Sequence, residues 1–393
     1  MSKSIPVLMI TIYASLLTGL TADQDPSDPY LWLESIEGEK SLEWVRAQND
    51  STMAALTLGS PFQGLYEKNL KVYNSLERIA YPDVHGRFVY NFWKDERNER
   101  GLWRRTTVQE YRKANPVWEV VLDIDSLSKA ESENWVFAGA DFLRPQCDRC
   151  MLSLSRGGAD ASVIREFDLR TKRFVEGGFA LPESKGGTSW KDENTLLVSS
   201  GLTKDEVTTS GYPRVTKIWK RGTPVQSATS LFAADTTDLG AWVYSIYTPE
   251  RQYILVAQAL TIFKSTVFAV EEGNLIKLDI PTDANLVTIL QGRVILWLKT
   301  EWHVGDNTFA QGSLVGVDYD ELLHGRKSVH AIWTPTGKSC ISSVSNTRNL
   351  LLVNTLNNVR GDLLEGTYRG GTWSFKRVAA PEFGTIEVVD TDL

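Results

Sequence analysis

Histidine and cysteine are scarce in this chain, four and three among 393 residues, and that scarcity limits its chemistry. His85, His303, His324 and His330 stand in no H-E-x-x-H or comparable spacing, so zinc hydrolysis has no ligand set, and His85, in the turn YPDVHGRF before a strand, reads as a solvated loop residue. Cys147 and Cys150 form a single CxxC in RPQCDRCMLSL, without the second pair that a structural zinc requires. No helix start follows Cys147, as a thioredoxin-like redox site would need. Cys150 runs straight into an apolar strand and reads as a buried structural thiol. A Cys147–Cys150 disulfide in an oxidising compartment is the alternative. A nucleophile elbow is also lacking. The nearest approach to G-x-S-x-G is GKSCI, where Gly337 precedes Ser339 but Ile341 takes the place of the second glycine.

Positive charge is not in excess either. Lysine and arginine number 42 against 49 acidic residues, a formal net charge of −7, so no overall field gathers nucleic acid or anionic lipid. The glycine pairs in SRGGAD and SKGGTSW lack the strand-to-helix setting of a phosphate loop and read as turns. Carboxylates are abundant, but a glycosidase needs two at a fixed separation in one cleft, which sequence does not reveal. No catalytic, cofactor-binding or metal-binding residue is assigned, and no cofactor is expected.

What the chain does contain begins with MSKSIPVLMITIYASLLTGLTADQD, in which Lys3 precedes an apolar run from Ile5 to about Leu20. The run is short for a membrane span, and small residues lead to Ala22. This favours a secretory signal over 1–22, with a periplasmic or secreted product free of the membrane; a retained anchor is the alternative. A helical arm is expected over 23–79. Its first helix lies around Leu42 to Leu56. Its second opens at Ser60 and Pro61 and repeats Phe62, Tyr66, Leu70, Tyr73 and Leu76 on one face, with helices ending near Arg78.

From Tyr81 onward helical periodicity gives way to short β runs. Six apolar strands recur at 87–93, 150–155, 195–200, 253–259, 293–299 and 349–356, their starts 40 to 63 residues apart. Each precedes a turn and an outer hairpin. The pattern predicts a mainly β fold, a β-propeller of about six four-stranded blades over 80–393. A β-sandwich is the rival, though six similar units exceed its needs.

The stretch YNFWKDERNERGLWRRTTVQEY sets Phe92, Trp93 and Trp103 beside Arg97, Arg100, Arg104 and Arg105. Its acids Asp95, Glu96, Glu99 and Glu110 nearly neutralise it, unlike a phosphate-tracking groove. Phe88, Tyr90 and Phe92 alternate with Val89 and Trp93, as in a strand buried on both faces between blades. The arginines are expected around the turn or the rim.

Four segments, DPYLWLESIEGEKSLEWVRAQN at 28–49, RGLWRRTTVQEY at 100–111, SLSRGGADASVIREFDLRTKRFVEGGF at 153–179 and SGYPR at 210–214, occur in order. Together they resemble the N-terminal half of bacterial prolyl oligopeptidase family serine peptidases. The resemblance implies a seven-bladed propeller set over an α/β-hydrolase domain that carries the catalytic Ser, Asp and His, with oligopeptides as substrates. On that footing TIEVVD at 385–390 is the innermost strand of an uncompleted seventh blade, and the hydrolase domain is absent or acts in trans. The chain alone is then expected to be catalytically silent. An open ring and an uncovered helix face imply marginal solubility or self-association of the isolated chain. The alternative is an exported propeller that binds peptides or proteins without catalysis, with a glycan-active propeller behind it.

Overall fold

The computed structural model describes residues 28–35, 37–381 and 384–392. The expected signal segment, 1–22, lies outside the described residues. Contacts divide the chain between Ser75 and Leu76 into two compact units. The first holds a 3-10 turn, Leu31–Glu34, and two helices, Glu39–Leu56 and Ser60–Tyr73. The second helix starts with Gly59 at the capping position and Pro61 in its first turn, where a missing N–H costs no internal hydrogen bond. It ends at Tyr73, short of the expected Arg78, and Leu76 falls beyond it. Phe62, Leu65, Tyr66 and Leu70 stay exposed. No helix among the described residues is long and apolar enough to cross a membrane.

The second unit is a β-propeller of six blades over 83–123, 135–184, 186–233, 240–277, 285–333 and 339–377. Each is an antiparallel sheet built from consecutive strands. The second blade carries a fifth strand, Ala180–Ser184, and the fifth blade carries an inserted hairpin, Trp302–Val304 with Asn307–Phe309. First strands contact one another from the second blade through the fourth and between the fifth and sixth, which places them innermost.

All six apolar runs of the sequence are second strands: Phe88–Trp93, Arg149–Arg156, Thr195–Ser200, Gln252–Thr261, Arg293–Trp297 and Leu351–Asn357. A second strand is flanked within its sheet and covered on both faces by neighbouring blades, so alternate side chains enter opposite seams. Leu196 and Val198 join the seam with the second blade, while Leu197 faces the fourth. Leu255 turns toward the fifth blade and Val256 toward the third. Five apolar clusters result, one for each seam between successive blades.

The first seam answers what the aromatic stretch is for. Tyr90, Trp103 and Phe142 are buried there, with Tyr90 and Trp103 stacked at 5.3 Å and Phe92 on Phe137 at 4.9 Å. Burial pushes the Tyr90 phenol up to about 12. Cys150, fully buried, and Cys147 are free thiols in the same cluster.

Four expectations need correction. Arg104 and Arg105 do not ring the rim: both lie inside the strand Leu102–Thr107. The Arg104 guanidinium sits between Trp93 and Trp118, 4.2 and 4.5 Å from the ring centres. Arg105 is buried and donates to Glu119 at 2.7 Å. The glycines of SKGGTSW are not a turn but open the innermost strand Gly186–Asp192, pressed against Ser199. His85 is not a solvated loop residue; it ends the innermost strand Asp83–His85 and its side chain is largely buried. Residues 384–392 form no strand. Instead Ile386 accepts a hydrogen bond from Asn354 Nδ2 at 2.8 Å, Asp390 accepts from the Val84 amide, and Asp392 pairs with Arg144 at 2.8 Å. That segment runs from the sixth blade to the first and second. Alternation alone did not make it a strand, because its backbone has no ladder to join.

Candidate functional site

A cavity of about 360 Å³ lies where the innermost strands converge. Every blade contributes to its wall: His85, Asp141, Trp190, Tyr247, Thr288 and Asn346 stand on the first strands of the six sheets in turn, or next to their ends. The strand pleat explains the wall. Met151, the cross-strand partner of Asp141, belongs to the seam between the second and third blades, whereas Phe142 enters the first seam.

Most polar groups of the wall are matched. The Trp190 carbonyl accepts from Ser245 Oγ at 2.9 Å and from Gln252 Nε2 at 2.7 Å, tying the third blade to the fourth. The Trp190 indole N–H donates to the Asp141 carbonyl at 2.9 Å. His85 stacks on Phe142 with ring centres 3.6 Å apart, its Nε2 2.7 Å from Asp83 and its Nδ1 3.3 Å from Arg144. Arg144 in turn pairs with Asp392. The exception is the Asp141 carboxyl. Its Oδ2 is closed to solvent and makes no hydrogen bond. Burial, only partly offset by the Trp190 backbone N–H and the Arg144 charge, pushes it up to about 7.

The other candidates are not gathered here. His303 is exposed on the inserted hairpin, bonded to Thr308 and paired with Glu301. His324 faces its own helix end through the Asp320 carbonyl, and His330 is exposed on the strand Val329–Trp333. Ser339 Oγ accepts from the Thr336 amide, with no imidazole beside it. No group of three His, Cys, Asp or Glu among the described residues could hold a metal. Sequence reading missed Asp141, Arg144 and Trp190. Each precedes a recognisable second strand by one strand length, the only signal that could have placed them.

Beyond the cavity, Glu166 is fully buried and receives Arg221 through both oxygens at 2.7 and 3.0 Å, Arg149 at 3.2 Å and the Phe179 amide at 2.9 Å. This bidentate, fully bonded arrangement fastens the second blade to the third.

A model of the N-terminal β-propeller domain of prolyl oligopeptidase matches residues 21–392. An uncharacterized peptidase of Sinorhizobium fredii is 34% identical over 381 residues, 94% of this chain and 52% of its own length. One from Rickettsia prowazekii is 27% identical, across 87% of this chain and 50% of its own. Among solved structures, a post-proline cleaving enzyme from Rickettsia typhi superposes with a TM-score of 0.83 at 28% identity, covering 89% of this chain and 53% of that one. Oligopeptidase B from Leishmania major, at 12% identity and a TM-score of 0.66, shares the fold over 90% of this chain and 49% of its own. The chain thus spans about half the length of the relatives it matches.

Proposed function

The chain belongs to the prolyl oligopeptidase family through its N-terminal β-propeller domain, and from that premise we propose that it is the substrate-gating part of a serine endopeptidase acting on oligopeptides. Its partner in this reading is an α/β-hydrolase catalytic domain. The axial cavity carries the proposal. At about 360 Å³, walled by all six blades, it is sized for a short stretch of extended chain and far too narrow for a folded protein. The matched wall, with Trp190 held by three hydrogen bonds, ties the second, third and fourth blades together beside the cavity. Export with removal of residues 1–22 belongs to the same proposal.

The gating reading separates peptide binding from peptide cleavage. The purified 393-residue chain should leave a proline-containing fluorogenic peptide uncut and take no fluorophosphonate label, yet bind a ten-residue peptide. It should not bind the same sequence held in a loop of a folded protein. Labelling of a serine in this chain, or equal affinity for the folded form, would overturn the proposal.

A further inference from the structure

We propose that Asp141 makes the axial cavity a subsite for a primary ammonium group carried by a peptide, either its amino terminus or a lysine side chain. The inference rests on the cavity being a path for peptides. It starts from an imbalance in the wall. The cationic side chain Arg144 is already paired with Asp392, and His85 is flanked by Asp83 and Arg144. Neutral donors and acceptors around Trp190 satisfy one another. Asp141 borders the cavity with one carboxyl oxygen shut into the wall and no donor supplied to it.

A carboxylate so placed loses hydration and regains only the Trp190 backbone N–H, with Oδ2 left unbonded, so its charged form is disfavoured. An ammonium reaching its cavity side would restore what burial removed, with three donors on a compact centre. A metal ion fits less well, because no second and third ligand stand nearby among the described residues. Behind Asp141, Cys150 offers no compensating charge: its thiol is pushed up by burial and stays neutral.

The test is calorimetric titration of the purified chain at pH 8 with three ten-residue peptides lacking arginine and acids. One has a free amino terminus and no lysine, one is N-acetylated with a central lysine, and one is N-acetylated without lysine. At least one of the amine-bearing peptides should bind about tenfold more tightly than the third, and the two arms show which amine is taken. In Asp141→Asn, the same size but uncharged, all three should bind alike. Equal binding of the three peptides to the unsubstituted protein would overturn the inference while leaving the cavity a peptide path. No binding of any peptide would remove the path and the inference together. A tenfold preference that persists in a folded Asp141→Asn variant would assign the ammonium to another group and also overturn it.

Discussion

Asp141 shows how one side chain can serve a site at the expense of the fold. Its carboxyl, ordinarily near 3.8, sits at about 7 in the folded chain. The folded state therefore holds a proton that the unfolded state releases. That stabilising contribution is complete below about pH 4 and is lost as the pH rises through 7. Asn mimics the protonated form. Asp141→Asn should match the unsubstituted protein in urea melts at pH 4 and exceed it at pH 8 by about 2 kcal/mol, roughly half of what the whole shift implies because a buried site relaxes and admits water around a charge. Equal stability at pH 8 would show that Asp141 is not held protonated. Residues such as this are hard to read from sequence. His85, Asp141 and Trp190 look unrelated along the chain, and nothing local marks their convergence around one axis.

At the scale of strands, legibility followed burial. Thr195–Ser200 was plain because Leu196 and Leu197 are both wholly buried, each in a different seam. The strand before it was obscure because it borders the cavity: Ser189 faces Ser245, and its opening glycines imitate a turn. Those glycines have a steric reason. Gly186 adopts φ +116°, and a Cβ there would lie 1.9 Å from the Ser199 carbonyl oxygen. Gly186→Ala should cost about 3 kcal/mol, read as a lower urea midpoint with an unchanged slope. A midpoint like that of the unsubstituted protein would mean that the first two strands of the third blade can separate freely. The tail was misread for the complementary reason. Thr385 to Asp390 alternates well, yet side-chain pattern does not supply a neighbouring strand.

Across the whole propeller the seams are not equivalent. Five are apolar clusters. On the far faces of the first and sixth blades the second strands instead present Asn91 and Asn354, both buried, bonded to the carbonyls of Tyr81 and Ile386. The bonds from the sixth blade toward the first pass through residues 384–392, ending in Asp390 on the Val84 amide and Asp392 on Arg144. Partly exposed charge pairs are weakened by salt, whereas aromatic and aliphatic contacts are not. Hydrogen exchange at Val84 should therefore quicken several-fold between 0.05 and 1 M sodium chloride, and likewise in Asp390→Asn, while amides of Leu196 and Leu255 hold steady. Uniform change at all three would show that the circle opens as one piece.

A ring fastened by five greasy joints and one ionic clasp has a built-in place to come undone. Loosening that clasp would free the two ends from each other without dismantling any blade, so the axial hole should be held most tightly in dilute buffer.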